Sequence, residues 1–185
     1  MSRLQKSTRT WKTLSSRIVY QGRLITVRED QVIKPNNEKG IYSFVSIPPT
    51  VGIVPLDEEL NMYLCKQFRY IFREASWEIP RGFVQNRETA LQAAKRELGE
   101  EAKVGSRKIR LIGSLKLSAG VLNEEANIFL AENVFPRRLK GVDDKEIAEI
   151  KRFPFKEVVE LIKENIISDG LTVGAILKVK EILRL

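Results

Sequence analysis

Histidine is absent from this 185-residue chain and cysteine occurs once, at Cys65. Without histidine there is no Ser-His-Asp triad, no Cys-His pair and no histidine-ligated zinc. One cysteine makes neither a thiolate metal cluster nor an internal disulfide, which fits a reducing compartment and a cytoplasmic location. Cys65 sits in the apolar run Met62–Cys65 and reads as a buried strand residue. No stretch of about 18 apolar residues occurs, so no transmembrane helix is expected. The N-terminal stretch lacks the apolar segment of a secretory signal. It also lacks acidic residues: Arg3, Lys6, Arg9, Lys12, Arg17, Arg23 and Arg28 meet no Asp or Glu before Glu29. Most of the formal net charge of +8 therefore comes from one end. Such an end is either a solvated basic extension or a contact for nucleic acid or another polyanion, the first being favoured. Any hydrolytic chemistry is left to carboxylates, lysine, tyrosine or a bound metal, and an oxygen-only ligand set suits Mg²⁺ or Mn²⁺.

What is present begins with alternation. Apolar and polar residues alternate from about Arg17 to Ile47, broken by the turn-rich Pro35-Asn36-Asn37-Glu38-Lys39-Gly40, which predicts an antiparallel β segment. Pro48-Pro49 marks a junction. Strands are predicted at Val51–Pro55, Met62–Arg69, up to Trp77–Pro80, Ile109–Leu117, Ala126–Glu132 and Ile147–Phe153, with closing helices at Phe155–Ile166 and Leu171–Leu183. The expected organisation is a basic extension over 1–15, an N-terminal β segment over 16–48 and a larger α/β domain over 49–185.

From Asn86 the apolar period changes from 2 to 3.6. Asn86 is the expected N-cap, with Glu88 and Thr89 in the first turn and Leu91, Ala94 and Leu98 on the apolar face. The helix is expected to end near Ala102–Lys103, with Gly105 as its left-handed cap. Glu97, Glu100 and Glu101 stand three and four apart, a spacing that puts like charges on one face at a cost of a few tenths of a kcal/mol per pair unless a cation reverses the sign. The alternative is an acidic solvated face offset by Lys95 and Arg96.

Gly82, Glu88, Arg96, Glu97, Leu98, Glu100, Glu101 and Val104 reproduce the spacing of the Nudix box: glycine, five residues, glutamate, seven residues, then arginine-glutamate-aliphatic-any-glutamate-glutamate-any-glycine-aliphatic. Lys103 replaces the second glycine. The chain thus resembles the Nudix hydrolases. That resemblance implies an α/β (α+β) fold, an α/β/α sandwich with a mixed β-sheet, preceded here by a small antiparallel segment. It implies metal ligation by Glu97 and Glu101, with Glu100 and the Arg81 carbonyl adding to the site, and structural roles for Gly82, Glu88 and Arg96. The implied reaction is attack of water on one phosphorus of a diphosphate with departure of the other phosphate. Glu146 is the first choice of base within the acidic loop Gly141–Glu146, with Asp144 the second and the box glutamates Glu100 and Glu101 the alternatives.

Beyond the box the chain is similar to ADP-ribose and nucleoside-diphosphate-sugar pyrophosphatases. Gln67-Phe68-Arg69 and Trp77-Glu78-Ile79-Pro80-Arg81-Gly82 resemble strand and turn motifs of that branch, as Ile166–Thr172 resembles its loop into the last helix. The resemblance implies substrate contacts from Arg69, Trp77, Glu78 and Arg81 and a homodimer. Arg81 and Ala119 depart from the alanine and proline of the branch. Phe44, Tyr70, Phe72 and Trp77 are aromatic candidates for stacking on a base, or for core and dimer contacts. The expected function is Mg²⁺-dependent hydrolysis of a nucleoside diphosphate sugar. Action on RNA 5′ ends or dinucleoside polyphosphates, and a non-catalytic nucleotide-binding module, are the alternatives.

Overall fold

The computed structural model describes residues 10–137 and 147–185. In chain order its elements begin with β1 (Lys12–Gln21), β2 (Thr26–Ile33), β3 (Lys39–Ser46), β4 (Thr50–Pro55), β5 (Asn61–Arg69), β6 (Glu74–Glu78) and β7 (Arg81–Phe83). Then follow α1 (Ala90–Glu101), β8 (Val104–Gly105), β9 (Lys108–Leu115), β10 (Leu122–Asn123), β11 (Ala126–Glu132), β12 (Phe135–Pro136), β13 (Ile147–Pro154), α2 (Phe155–Lys163) and α3 (Gly170–Leu183). The chain divides into two compact units, one running through Pro48 and including Ser118–Glu124, the other formed by Pro49–Leu117 and Glu125–Leu185.

In the first unit β1, β2 and β3 form an antiparallel meander, and β10 adds to β3 in parallel. The turn at Pro35–Gly40 closes where the sequence places it: Asn37 takes a φ of 66°, its N–H donates to the Lys34 carbonyl at 2.9 Å, and Asn36 Oδ1 accepts from Glu38 N–H. β1 is exposed along its whole length and takes in Lys12–Ser15, which alternation alone left outside the sheet. Trp11 meets Tyr42 edge-to-face at 5.4 Å, and Tyr42 Oη donates to the Gly120 carbonyl.

The second unit is built on the mixed sheet β7-β4-β11-β9, in which β4 and β11 run parallel and the outer pairs are antiparallel. All six residues of β4 are buried. Such a continuous apolar run marks a strand covered on both faces, and the pleat sorts its side chains between two cores. Val51 and Ile53 join Phe129 and Ala131 of β11 under α1, against Ala93, Ala94 and Leu98. Val54 joins Ile128 and Leu130 beneath α2 and α3, against Val158, Leu171, Ile176 and Val179. This is the helix–sheet–helix layering that was expected. A second antiparallel sheet, β13-β5-β6, and the short pair β8–β12 complete the unit. At Gly113, where φ is +135°, β9 bulges against Ile128 and Phe129.

Four local expectations are corrected. Helix α1 is capped by Thr89 rather than Asn86: Thr89 Oγ1 accepts from Gln92 N–H, and the Gln92 side chain accepts from Thr89 N–H, a complete capping box. Residues 85–88 close a separate turn, with Glu88 N–H on the Gln85 carbonyl and Gln85 N–H on Glu88 Oε2, so Glu88 lies outside the helix. At the other end Gly105 sits in β8; the left-handed residue is Lys103 itself, at φ 54°, with Nζ donating to the Glu100 carbonyl at 2.5 Å. Leu91 is exposed at the rim of the buried arc, and Ala93 takes its place in the core.

Candidate active site

The buried arc of α1 contains Ala94 and Leu98 and also Glu97 and Glu101, which are only 8% and 7% exposed. Four residues apart, these carboxylates stand one turn above the other on the face against the sheet. Burying two carboxylates is costly unless each is hydrogen-bonded or paired, and each finds a partner. Glu101 Oε2 accepts the main-chain N–H of Arg81 at 2.7 Å. Its own carbonyl accepts Cys65 Sγ at 3.3 Å from the buried face of β5. Glu97 Oε1 accepts Arg96 Nη1 at 2.6 Å.

Arg96 gathers most of the remaining box residues. Its Nε and Nη2 reach both oxygens of Glu88 at 3.0 Å, its Nη1 also reaches Glu100 Oε2 at 3.0 Å, and Nη2 donates to the Phe83 carbonyl. One guanidinium thus serves three carboxylates and a carbonyl. Its pKa is raised, chiefly by the bond to Glu88 against the opposing effect of burial. Glu88 is held below the usual carboxylate range by the same Arg96 bond. Burial pushes Glu97 up to about 7, despite Arg96, and the nearby charges of Glu100 and Glu88 add to the rise.

Gly82 on β7 explains its own identity. A Cβ there would lie 1.9 Å from Glu97 Oε1. The glycine lets the carboxylate pack against the β7 backbone.

Next to Glu101 is a second cluster. Glu78, 2% exposed at the end of β6, is gripped by both Arg69 Nε (2.8 Å) and Arg69 Nη2. Arg81 Nη1 lies 3.8 Å from Glu78 and donates to Asp169 Oδ1 at 3.1 Å. The Arg69 pKa is raised, first by Glu78, with further contributions from the charges of Asp169 and Glu101. Two guanidiniums, Arg69 and Arg81, therefore meet at Glu78, beside the segment whose main-chain N–H holds Glu101.

The structure brings Arg69, Glu78, Arg81, Gly82, Glu88, Arg96, Glu97, Glu100 and Glu101 into these two adjoining networks. Trp77 is not among them. Strand alternation turns it to the opposite side of β6 from Glu78, where it packs edge-to-face on Phe153 at 5.1 Å with Lys66 Nζ 5.6 Å from its ring. Tyr70 and Phe72 are exposed at the tip of the β5–β6 hairpin, where the Arg73 guanidinium covers the Tyr70 ring at 4.0 Å. Phe44 belongs to the N-terminal unit. Glu146 and Asp144 lie outside the described residues. Asp169 was not singled out from the sequence; Ser-Asp-Gly before an apolar helix signals its capping role and nothing of its pairing with Arg81. An open cavity of about 750 Å³ lies elsewhere, between Asp57, Tyr63, Glu132, Phe135 and Arg152, and no box residue lines it. Several of its charges pair with one another, Arg152 with Asp57 and Glu59, and Lys108 with Glu132.

Among the described residues no group of three acidic side chains is gathered at ligand spacing, because Arg96 draws Glu97 and Glu100 while Arg81 N–H holds Glu101. The donor chemistry nonetheless fits a hard divalent cation: oxygen-only ligands and two buried carboxylates on one face, one of them with its charged form disfavoured by burial.

Residues 46–172 match the NUDIX domain, and the chain belongs to that family, whose hydrolases use divalent metal ions. Residues 11–45 match the nucleoside diphosphate sugar hydrolase N-terminal domain. The chain is 27% identical over 176 residues to the ADP-ribose pyrophosphatase of Bacillus subtilis, covering 94% of this chain and 95% of that one. It is 26% identical to the methanol dehydrogenase activator of Bacillus methanolicus, with the same coverage. It is 23% identical to the ADP compounds hydrolase NudE of Escherichia coli, over 98% and 97% of the two chains. A solved structure of an ADP compounds hydrolase superposes with a TM-score of 0.84 over 97% of each chain at 24% identity, which establishes the common fold. Among the described residues no helix is long and apolar enough to cross a membrane.

Proposed function

We propose that this chain hydrolyses the diphosphate linkage of a nucleoside diphosphate sugar, ADP-ribose or a close relative, to a nucleoside monophosphate and a sugar phosphate. The observation that carries the reading is the buried pair Glu97 and Glu101, seated on Gly82 and Arg81 N–H, with the Arg69 and Arg81 guanidiniums alongside. The match of residues 11–45 to a nucleoside diphosphate sugar hydrolase segment supports the substrate class, as do the names of the Bacillus subtilis and Escherichia coli relatives.

Glu97 and Glu101 would hold Mg²⁺, with Mn²⁺ as a substitute, assisted by Glu100 and the Arg81 carbonyl. When bound, the cation supplies positive charge that neutralises the phosphates and eases proton loss from water. Arg69 and Arg81 bind the diphosphate oxygens; Glu78 fixes Arg69 in place. Arg96, anchored on Glu88 and the Phe83 carbonyl, orients Glu97 and Glu100. The water oxygen bonds to one phosphorus as the bridging P–O bond breaks, and the released proton passes to a carboxylate: Glu146, Asp144 or a box glutamate. A cytoplasmic homodimer is the form proposed. The N-terminal unit exposes Trp11, Leu14, Ile18, Val19, Tyr20 and Ile41, apolar surface suited to a second copy.

The test incubates purified protein with ADP-ribose, ADP-glucose and GDP-mannose, with Mg²⁺ or with chelator, and separates products by chromatography. Metal-dependent release of a nucleoside monophosphate, lost in Glu101→Gln, is the expected result. Full turnover in both Glu97→Gln and Glu101→Gln would overturn it.

A further inference from the structure

Asp169 divides its two oxygens between two tasks. Oδ2 accepts Thr172 N–H at 2.8 Å and caps α3, while Oδ1 accepts Arg81 Nη1 at 3.1 Å across 88 positions of sequence. One turn into α3, fully buried Thr172 offers Oγ1 to Ile79 N–H at 3.2 Å. The start of α3 therefore holds the segment 79–81 at two points, one on the backbone and one on a side chain. That segment leads directly into the residues that seat the box carboxylates, Arg81 N–H for Glu101 and Gly82 for Glu97.

We infer that Asp169 is a positioning residue for the Glu101 carboxylate, acting through Arg81. The helix cap does not require this arrangement, since a single oxygen suffices for a cap. The second oxygen fixes the Arg81 side chain, and with its two ends held, by Asp169 and by Glu101, residue 81 keeps its N–H aimed at Oε2. An ion pair whose side chains are each 22% exposed is better shielded from solvent than a fully exposed one. The arrangement also keeps the Arg81 guanidinium beside Glu78. This inference rests on the proposed metal-binding role of Glu101.

The experiment measures Mn²⁺ affinity by electron paramagnetic resonance on the full chain, independently of turnover. Asp169→Ser retains a good N-cap but is too short to reach Arg81, and Arg81→Met removes the guanidinium while leaving the main-chain N–H. The expected result is a 3- to 10-fold loss of Mn²⁺ affinity, on the order of other outer partners of metal ligands, in Asp169→Ser, and no further loss when it is combined with Arg81→Met. Asp169→Asn, closest in shape, serves if the serine variant folds poorly, and is expected to lose affinity in the same direction. Wild-type affinity in the aspartate variants, or losses that add fully in the double variant, would overturn the inference. Glu101→Gln separates the two readings: wild-type Mn²⁺ binding there removes the metal site itself, whereas loss there with wild-type binding in Asp169→Ser removes only the role of Asp169.

Discussion

A methyl group on residue 82 would fall 1.9 Å from Glu97 Oε1, well inside contact distance. Either the carboxylate or the β7 backbone has to move. Gly82→Ala is therefore expected to reduce kcat/KM by about 100-fold or more, roughly 2.7 kcal/mol of transition-state stabilisation. Steady-state kinetics with circular dichroism as a folding control checks this; an alanine variant with wild-type kinetics contradicts the packing.

Glu97 makes the metal-free protein pH-sensitive. Its folded pKa of about 7 lies above the ordinary 4.5 because burial disfavours the anion. The folded state therefore holds a proton that the unfolded chain has already lost between these values. Its contribution to stability is fully present below 4.5 and is lost as pH rises through 7, a difference on the order of 3 kcal/mol. In chelator, urea denaturation of Glu97→Gln is expected to show a flatter decline between pH 5 and 8 and greater stability than the parent at pH 8. Parallel curves for the two proteins would count against the burial argument.

Lys103 holds a left-handed conformation that costs a non-glycine residue about 1 kcal/mol. Lys103→Gly relieves that strain and forfeits the Nζ bond to the Glu100 carbonyl, which is partly replaced by water. The net expectation is a Tm higher by about 1 to 3 °C, given roughly 2–4 °C per kcal/mol for a chain of this size. Calorimetry decides it, and a lowered Tm means the lysine–carbonyl bond outweighs the backbone strain.

Arg96 uses its planar fork on four acceptors at once, which an ammonium group cannot match. Arg96→Lys keeps the charge yet is expected to lower kcat 10- to 100-fold with a smaller change in KM, because Glu97 and Glu100 lose their orientation. An unchanged kcat would reduce Arg96 to a charge-balancing role.

The framework was legible where a single period persisted. The change from alternation to the 3.6 period located α1, and continuous apolar runs located β4 and β11. The box spacing alone singles out Gly82, Arg96, Glu97 and Glu101. The N-terminal boundary of α1 was not legible, since Asn86 and Thr89 are both good caps and the Gln92 reciprocal bond decides between them. The exit of α1 at Ala102–Lys103 was legible, but the left-handed residue was not, because nothing in a lysine announces a positive φ. The side of β6 on which Trp77 lies depends on one-residue parity at a strand end. The Arg81–Asp169 pair joins residues 88 apart, and no local pattern connects them. β8, β10 and β12, of two residues each, are too short to leave a periodic trace.

In the antiparallel ladder between β4 and β7, Val51 lies opposite Gly82 and Gly52 opposite Arg81. A slip of one residue in β4 would exchange its two sets of side chains between layers, an error that the apolar interiors on both sides penalise at every position. The same alignment decides that residue 82, and no bulkier neighbour, faces the acidic helix. Accuracy at the reacting end of the molecule is thus inherited from oily side chains that never meet a phosphate, and a chain that has found its core has already aimed its carboxylates.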